Sequence, residues 1–415
     1  MSGRRVQVPS LLGPAAVPAR PAKKDPDARR RFLFAVPPLT GHVNPTVAVA
    51  SELARRGHMV AWVGQRGFLE PLLRRGSQIF TAEDEAFAAR LERARLEWLG
   101  LRGPAALRFL WEEFIVPLGH AMMPGVESAA RRYHPDVIVS DQQVLAAPVV
   151  ARRRGIPWAT SATTSAEFTR PLAGMPLVEE WVRELIGDFQ LDHGIEDLID
   201  LRFSDHLVLA FSTAALIGDT SFFPDHFAFV GPALRRPSSG DFPWAWLDEG
   251  GGRPVVLVSL GTIDGPVGER FFRVAADAVR DMDVRAVFVA PPETVPDPPP
   301  NVLVRERVPQ LTLLKRMSAV VSHGGHNTVC EALAGGLPLV VAPIRADQPV
   351  IARQVEAAGA GITVRYGRVR PDELRTALRA VLERDTYREA AADVSESFAA
   401  AGGAAHAADR LEKLT

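Results

Sequence analysis

The sequence predicts an α/β fold of two doubly wound parallel-sheet domains that face each other across a cleft. The chain has 415 residues, and a single hydrophobic core stops growing at roughly 250–300 residues. Apolar strand-like runs alternate with amphipathic helical stretches, which is typical of a parallel sheet covered on both faces. The alternation stops at a stretch rich in Pro, Gly and Ser, residues 231–254, and then starts again.

The composition excludes several classes of protein. The 48 Lys and Arg balance 49 Asp and Glu, so no basic surface for nucleic acid or an anionic membrane is expected. The single cysteine, Cys330, excludes an intramolecular disulfide framework and a cysteine-based zinc site. No apolar run reaches the roughly 18–20 residues of a transmembrane helix. We therefore expect a cytoplasmic protein, monomeric or homodimeric, without nucleic-acid partners or stable membrane insertion.

The first half of the chain supplies one domain. Residues 1–30 are basic and contain repeated Pro without strand or helix periodicity, which predicts a disordered tail. Residues 31–230 are predicted to form the N-terminal domain. Its strand candidates are Phe32–Val36, Met59–Val63, Val137–Ser140, Ile156–Thr160, Leu207–Phe211 and Phe227–Val230. The stretch Pro45–Arg56 carries apolar residues on one side and charged residues on the other, as an amphipathic helix does.

The second half repeats this pattern after a predicted linker, residues 231–254. Residues 255–395 are predicted to form the C-terminal domain. Its strand candidates are Val255–Ser259, Val284–Ala290, Val302–Val304, Ala319–Ser322, Leu339–Ala342 and Gly361–Val364. Residues 396–415 are a separate helix candidate that could cross back to the first domain. Because ligands bind beyond the carboxyl ends of parallel strands, both sets of strand ends are expected to meet at one cleft.

The strongest chemical signal is the sequence AVVSHGGHNT, where the strand Ala319–Ser322 passes through His323 and two glycines into a helix. Glycines at such a turn let backbone amides approach a ligand closely, and the free N–H groups of a helix start attract an anion. Asn327 and Thr328 can donate further hydrogen bonds, and His323 adds a polar or cationic group. The pattern indicates a diphosphate site.

Two further features favour a nucleotide sugar as the ligand. Glu331 lies four residues after Asn327, so it faces the same way on the helix, and its carboxylate can accept hydrogen bonds from ribose hydroxyls. Asp347 and Gln348 follow the strand Leu339–Ala342, and a carboxylate beside an amide suits adjacent sugar hydroxyls. A phosphate site, a carboxylate for the ribose hydroxyls and a carboxylate–amide pair for the sugar hydroxyls together indicate a nucleotide-sugar site.

These motifs resemble the donor signature of nucleotide-sugar-dependent glycosyltransferases with the GT-B fold, which has two Rossmann-like domains. The resemblance is carried by Val308-Pro309-Gln310 through Gln348, with HGGHNT and ADQP inside it, by Ser259-Leu260-Gly261-Thr262, and by Gly41-His42-Val43-Asn44-Pro45. It covers most of residues 31–395. The similarity points to the bacterial natural-product branch of the family that also contains UDP-glucuronosyltransferases and plant secondary-metabolite glycosyltransferases.

The resemblance implies a donor-binding role for each matching position. These are Gly261, Thr262, Arg307, Val308, Gln310, His323, Gly325, His326, Asn327, Thr328, Glu331, Asp347 and Gln348. The positions at the helix start would surround the diphosphate, with Thr262 near it, and Glu331 would hold the ribose. Asp347 and Gln348 would bind the transferred sugar. The residues from 307 to 310 would border the nucleobase; Arg307 stands where the family usually has a stacking aromatic residue, and a guanidinium can stack as well.

A histidine beyond the first strand is placed for proton transfer. His42 follows Phe32–Val36, just before the predicted helix, and an unperturbed pKa near ~6.5 suits a general base at neutral pH. The residues alone leave open a helix-capping histidine without chemistry, whereas the resemblance implies the catalytic base. Asp141 follows the strand Val137–Ser140 and is expected at the same sheet edge, where the resemblance implies that it orients His42. A helix N-cap is the alternative for Asp141.

The acceptor is expected to bind the first domain. The segment Phe87–Gly125 is rich in bulky apolar residues, among them Trp98, Trp111, Phe114, Met122 and Met123. At helical spacing such residues are typical of a core, but the resemblance implies that helices in this part of the chain line the acceptor pocket. Ser161–Phe168 and Phe203 are further candidates.

The sequence therefore predicts an inverting, metal-independent glycosyltransferase of natural-product and antibiotic biosynthesis. It would move a sugar from a UDP or dTDP donor, a co-substrate, to a hydroxyl of a hydrophobic acceptor such as a polyketide, macrolide or terpenoid. No cofactor and no metal are expected, and Asp281-Met282-Asp283 follows a helical run, so it is read as a solvated helix end. Three alternatives stay open: a lipid or carotenoid glycosyltransferase, a nucleotide-sugar epimerase, and a non-catalytic auxiliary protein of the same fold.

Overall fold

A computed structural model describes residues 29–82, 87, 89, 100–101, 103–169, 174–237, 240–249, 251–261 and 266–415, with only the backbone at 266–267. Within these residues lie two parallel β-sheets, of seven and six strands. Each sheet has a hydrophobic core on both of its faces. The predicted fold class, two doubly wound α/β units, is confirmed.

The first lobe is built on the seven-stranded sheet, in the order β3-β2-β1-β4-β5-β6-β7. Its strands are β1 (Arg31–Ala35), β2 (Met59–Gly64), β3 (Gln78–Thr81), β4 (Val137–Asp141), β5 (Trp158–Ala162), β6 (Val208–Ala210) and β7 (Phe227–Phe229). Its helices are α1 (Thr40–Arg55), α2 (Arg66–Leu69), α3 (Gly103–Phe109), a π-helical turn (Leu110–Ile115), α4 (Val116–Tyr133), α5 (Ala146–Arg154), α6 (Ser165–Phe168), α7 (Pro176–Asp192) and α8 (Ala214–Ile217).

The second lobe is built on the six-stranded sheet, in the order β10-β9-β8-β11-β12-β13. Its strands are β8 (Val255–Ser259), β9 (Arg285–Val289), β10 (Val302–Arg305), β11 (Ala319–Ser322), β12 (Leu339–Val341) and β13 (Gly361–Thr363). The remaining helices are α9 (Trp244–Asp248), α10 (Pro266–Val279), a 3-10 turn (Pro292–Thr294), α11 (Gln310–Leu314), α12 (His326–Ala334), α13 (Gln348–Ala357), α14 (Pro371–Glu383), α15 (Asp385–Ala401) and α16 (Gly403–Glu412).

The cores follow from the alternation of side chains along buried strands. In β1, Leu33 packs in one core with Trp158, whereas Phe34 packs in the opposite core with Leu53 and Leu411. Such strands are apolar throughout because both faces of a parallel sheet are covered. No helix among the described residues is long and apolar enough to cross a lipid bilayer.

The strand order reverses at one point in each sheet, between β1 and β4 in the first lobe and between β8 and β11 in the second. Open α/β sheets bind ligands in the crevice at this reversal. Asp141 is the last residue of β4, and His323 directly follows β11. The topology therefore places the residues predicted for catalysis and for diphosphate binding at the two reversal points.

The start of α1 differs from the prediction. The predicted amphipathic stretch begins at Pro45, and His42 was expected just before the helix. The helix begins at Thr40 instead, so His42 lies inside its first turn. Pro45 has no N–H to donate to the carbonyl of Gly41, and this carbonyl accepts a hydrogen bond from the Asn327 side chain at 2.7 Å. A contact with the other lobe thus satisfies the carbonyl that proline leaves without its helical partner.

Three other details of the fold differ from the prediction. Strand β3 was not predicted, because a strand of four residues, two of them polar, gives no clear hydrophobic pattern. The predicted linker, residues 231–254, contains the short helix α9. The predicted boundary at residues 395 and 396 falls inside α15, and the chain turns at Gly402 instead. Gly402 has a φ of +85°, a conformation that glycine adopts without steric cost and that ends helices.

The chain end packs on the first lobe through α16. Ala407, Ala408 and Leu411 are completely buried in the core that also contains Phe34. The guanidinium of Arg56, just after α1, donates hydrogen bonds to carboxylates of α16, including that of Glu412 at 2.9 Å. The last helix therefore covers one face of the sheet that carries the predicted catalytic residues.

Candidate active site

His42 and Asp141 form a hydrogen-bonded pair. His42 lies in the first turn of α1, Asp141 ends β4, and the strand before α1 pairs with β4 in parallel register. Nδ1 of His42 lies 2.9 Å from each carboxylate oxygen of Asp141. The Asp141 side chain is completely buried, and the His42 side chain is 15% exposed. The ring nitrogen that faces the carboxylate is thus Nδ1, and no hydrogen bond from a described residue engages Nε2.

Two further groups hold the Asp141 carboxylate. The backbone N–H of Gln143 donates to Oδ1 at 2.9 Å, and the Thr163 hydroxyl donates to Oδ2 at 3.1 Å. The same hydroxyl lies 2.8 Å from Nδ1 of His42. The sequence analysis did not assign Thr163 to this pair, although it follows β5, the neighbour of β4, and therefore lies at the same sheet edge.

The protonation of His42 depends on two opposing effects. Burial lowers the pKa of the imidazole because it disfavours the charged form, and the Asp141 carboxylate raises it. The attraction of the carboxylates, Asp141 foremost, outweighs burial, so the pKa of His42 lies above its usual value of 6.5. In the neutral ring the carboxylate keeps the proton on Nδ1, which leaves the lone pair of Nε2 able to take up a proton.

His323 and two glycines form the turn after β11. A Cβ atom added at Gly261 would lie 2.7 Å from Cε1 of His323, and one added at Gly325 would lie 2.6 Å from its Nε2. The imidazole therefore fills the space between the two glycines. Burial lowers the pKa of His323 to about 4, so the ring is neutral near pH 7 in the free protein. Its Nδ1 is buried, and the backbone of Ser259 and the carboxylate of Asp347 only partly offset the effect of burial on the pKa.

The start of α12 presents free backbone N–H groups. Gly325 is the N-cap residue, and the first helical hydrogen bond to it comes from the N–H of Val329 at 3.1 Å. The N–H groups of His326, Asn327 and Thr328 precede that bond and have no helical acceptor. The first turn contains no acidic residue. This end of the helix can therefore bind an anion.

The His326 side chain is directed elsewhere. Its ring is 5% exposed, and Nε2 lies 3.2 Å from the backbone carbonyl of Phe211 in the first lobe. Burial lowers the pKa of this ring, so the neutral imidazole donates from Nε2 to that carbonyl. The Sγ of Cys330 lies 3.5 Å from the same nitrogen. At the anion-binding end of α12, His326 thus contributes its backbone N–H, and its side chain joins the lobes.

Asn327 connects the two predicted half-sites. Its Nδ2 donates to the carbonyl of Gly41 at 2.7 Å, and Gly41 directly precedes His42 in the chain. The anion-binding helix start of the second lobe therefore lies against the turn that carries the histidine of the first lobe.

Glu331 lies on the same helix, one turn further on. Its Oε2 accepts a hydrogen bond from Nε2 of Gln310 at 2.6 Å. Burial raises the pKa of this carboxyl, and Gln310 and the nearby Arg235 partly offset the effect. The structure thus brings together the residues predicted for the ribose and for the border of the nucleobase.

Asp347 and Gln348 lie at the start of α13. A carboxylate oxygen of Asp347 accepts a hydrogen bond from the Thr164 hydroxyl of the first lobe at 2.7 Å. The amide oxygen of Gln348 accepts from the backbone N–H groups of Ile344 and Arg345, at 2.8 and 3.0 Å. The oxygen of Gln348 thus holds the loop before the helix, and its amide nitrogen is the atom that remains for a sugar hydroxyl.

The other predicted positions differ in their surroundings. Arg307 is exposed, Thr328 is half-buried, and Val308 packs against a core of the second lobe. Thr262 lies outside the described residues, as does Trp98 of the apolar segment. The described bulky side chains of that segment, Trp111, Phe114, Met122 and Met123, are buried in the core of the first lobe.

The described residues offer no evident metal centre. Asp281 and Asp283 are exposed between α10 and β9. Among the residues with described side chains, no three His, Cys, Asp or Glu side chains lie close enough together to hold a metal ion.

Comparison with known proteins identifies the family. The model of the "Erythromycin biosynthesis protein CIII-like, C-terminal domain" matches residues 274–414. The 4'-demethylrebeccamycin synthase of Lentzea aerocolonigenes is 31% identical over 423 residues, which cover 92% of this chain and 99% of that protein. The chain belongs to the nucleotide-sugar-dependent glycosyltransferases. The resemblance that the sequence motifs carry is thereby confirmed.

Two further comparisons support the assignment of this chain to the glycosyltransferases. The demethyllactenocin mycarosyltransferase of Streptomyces fradiae is 29% identical over 402 residues, covering 92% of this chain and 86% of that protein. The crystal structure of the calicheamicin glycosyltransferase CalG4 superposes with a TM-score of 0.76 at 26% identity, covering 93% of this chain and 98% of that chain. The protein is therefore an enzyme that transfers sugars, and it has the GT-B fold.

Proposed function

We propose that this glycosyltransferase inverts the anomeric carbon, acts without a metal, and transfers the sugar of a UDP or dTDP donor to a hydroxyl of a hydrophobic natural product. The observation that carries the proposal is the 2.7 Å hydrogen bond between Asn327 and the carbonyl of Gly41. It holds an anion-binding helix start against the turn that carries a histidine paired with a buried aspartate. A base and a leaving-group site on opposite sides of one cleft are what a single displacement requires.

His42 is the general base in this proposal. Its Nε2 takes the proton of the acceptor hydroxyl while Asp141 stabilises the imidazolium that forms. The hydroxyl oxygen attacks the anomeric carbon from the face opposite the diphosphate. The bond between that carbon and the phosphate oxygen breaks as the new bond forms, so the configuration inverts. The transition state resembles an oxocarbenium ion.

The start of α12 stabilises the departing diphosphate. Its free N–H groups point at the negative charge that develops on the phosphate oxygens, and the helix dipole favours that charge. His323, neutral in the free protein because burial lowers its pKa to about 4, offers a ring N–H as a hydrogen-bond donor. These groups support a reaction that needs no divalent cation. Glu331 with Gln310 would bind the ribose, and Asp347 with Gln348 would bind the sugar.

The hydrophobic acceptor is proposed to bind the first lobe beside His42. Support comes from the same lobe, where Phe168 and Phe203 belong to a cluster of aromatic residues around β6 and β7. Asp347 contacts Thr164 at the end of β5, so the sugar-binding position of the second lobe adjoins this part of the first lobe.

Mass spectrometry of reactions between UDP- and dTDP-sugars and a panel of apolar alcohols tests the proposal. We expect acceptor-dependent products whose anomeric configuration, measured by proton NMR couplings, is opposite to that of the donor. EDTA should leave the rate unchanged. A retained configuration would contradict the mechanism, and donor turnover without acceptor would favour an epimerase instead.

His42→Ala tests the assignment of the base. Loss of a general base lowers kcat by about 10²–10⁴-fold, so we expect a decrease in that range with a nearly unchanged KM for the donor. His206→Ala is the matched control, because His206 is an exposed histidine of the same lobe. Full transfer activity in His42→Ala would reject this assignment, although not the fold.

A further inference from the structure

Gln143 and Glu167 carry two buried oxygen atoms that accept no hydrogen bond from any described residue. Nε2 of Gln143 donates to Oε1 of Glu167 at 3.0 Å, which ties the two side chains together. Oε1 of Gln143 and Oε2 of Glu167 are buried and have no partner among the described residues. Gln143 as a whole is 6% exposed. The pair therefore presents two adjacent acceptor groups that the described part of the protein does not satisfy.

The pair adjoins the proposed base. The backbone N–H of Gln143 donates to the same Asp141 oxygen that contacts His42. Glu167 lies on α6, four residues after Thr163, whose hydroxyl contacts both members of the catalytic pair. The Glu167 carboxylate is close enough to contribute to the raised pKa of His42. The pair of side chains therefore adjoins the His42–Asp141 pair.

Arg202 donates no hydrogen bond to either of these oxygens. Arg202 influences the charge of Glu167, but its guanidinium donates to Asp200 at 2.9 and 2.7 Å. It is also stacked over the rings of Trp111 and Phe203, with centroid distances of 5.9 and 5.5 Å. The arginine is therefore held by its own carboxylate and by two aromatic rings, and within the described part of the chain no donor pairs with the two oxygens.

A buried oxygen without a donor costs about 1–3 kcal/mol, and native proteins keep few such atoms outside functional sites. We propose that Gln143 and Glu167 recognise the acceptor, and that the acceptor carries a second hydroxyl or N–H group next to the hydroxyl that receives the sugar. This inference rests on the proposed function and makes the acceptor class more specific. The acceptor is an apolar molecule with a vicinal polar donor.

The chemistry of the two oxygens selects a donor. An amide oxygen only accepts, so the partner of Oε1 of Gln143 must donate. Burial raises the pKa of Glu167, and a hydroxyl can pair with the carboxyl in either its charged or its protonated form. A methoxy group in the same position would leave the amide oxygen unpaired.

Two matched probes test the proposal, 2,3-dihydroxynaphthalene and 2-naphthol, each with UDP-glucose and dTDP-glucose. In the wild-type enzyme we expect kcat/KM for the diol to exceed that for 2-naphthol by about 10–100-fold, the range that one unpaired buried group accounts for. In Glu167→Leu and Glu167→Gln the ratio should fall toward one, through loss of activity on the diol. Because the ratio is compared between enzymes, the intrinsic reactivity of the two probes cancels.

Glu184→Gln is the matched control, since Glu184 is an exposed glutamate of the same lobe, and it should keep the wild-type ratio. Glu167→Gln preserves the shape of the side chain and the hydrogen bond from Gln143, so this variant tests the proposal if Glu167→Leu does not fold. A ratio unchanged in Glu167→Gln overturns the proposal, as does a wild-type enzyme that uses 2-naphthol as well as the diol. Activity on other alcohols with none on either probe would overturn the proposed role of Gln143 and Glu167 but not the proposed function. If no sugar reaches any acceptor, the proposed function fails with it.

Discussion

The pKa of His42 shows how one carboxylate decides the chemistry of a buried ring. Burial by itself would push the pKa of the imidazole below 6.5, and the carboxylate of Asp141 reverses the direction. The carboxylate of Asp141 is in turn held against the imidazole by Gln143 and Thr163, which donate hydrogen bonds to its two oxygens. Each of these contacts joins residues at the carboxyl ends of β4 and β5.

Asp141→Asn should move the acidic limb of the pH profile. Without the carboxylate, burial dominates and the pKa of His42 falls, so the base stays neutral to lower pH and the acidic limb of kcat/KM shifts down. The imidazolium also loses its counter-charge, so kcat should fall by about 10²–10⁴-fold. Initial rates between pH 5 and 9 measure both effects, and an unchanged limb would mean that another group titrates there.

Gly325→Ala should disturb the donor site without backbone strain. Gly325 has an ordinary φ of −62°, but the new Cβ would lie 2.6 Å from Nε2 of His323 and must displace the ring. We expect the KM for the donor to rise about tenfold or more, since loss of one charged hydrogen bond costs about 1.5–3 kcal/mol. Gly67→Ala is the control, because its Cβ would meet nothing within 4 Å. Equal KM values in both variants would contradict this account of the glycine.

At the scale of elements, α1 is a helix whose irregularity serves contact between the lobes. Proline in a helix removes one N–H and crowds the carbonyl four residues before it. In α1 that carbonyl belongs to Gly41, and Asn327 of α12 donates to it. The pairing connects the turn that carries His42 with the start of the helix proposed to bind the diphosphate.

A double-mutant cycle with Pro45→Ala and Asn327→Ala measures this pairing. Asn327→Ala should lower the Tm, because the Gly41 carbonyl loses a partner worth about 1 kcal/mol. In the Pro45→Ala background the N–H of residue 45 supplies that partner, so the same substitution should have little effect. Scanning calorimetry of the four proteins gives the coupling, and additive effects would show that proline does not create the bond.

At the scale of the whole molecule, the chain leaves the second lobe and ends on the first. Arg56 and His58 both contact Glu412, at 2.9 Å in each case. Partly exposed ion pairs of this kind contribute about 0–1 kcal/mol. Complete burial of a leucine such as Leu411 contributes more, about 1.5–3 kcal/mol, so apolar packing dominates the attachment of α16.

Leu411→Ala should therefore destabilise the enzyme by about 2–5 kcal/mol, the usual cost of a cavity in a packed core. Lys413→Ala, two residues further on and exposed, should change stability by less than about 0.5 kcal/mol. Urea unfolding followed by circular dichroism measures both variants. Similar midpoints for the two would indicate that α16 does not stabilise the first lobe.

How much could be predicted depended on how local each signal is. Strands such as Ala319–Ser322 were predicted with their observed bounds, because an apolar run between turn residues needs no partner to be recognised. Strand β3, with two polar residues among its four, has no such signal. His42 and Asp141 were paired through strand order and family resemblance, whereas Thr163 has no motif and emerges only from its contacts.

The sequence alone determined the alternation of strands and helices, and with it the two sheets and the turn after β11, because these depend on side-chain periodicity and glycine positions within short segments. The family followed from motifs of the same local kind. Only the tertiary structure decided where α1 begins, which way His326 points, and that Gln143 and Glu167 near the base have oxygens without a partner among the described residues. These features depend on contacts between residues that lie far apart in the chain. A short segment does not determine which distant group donates a hydrogen bond to a given carbonyl or carboxylate.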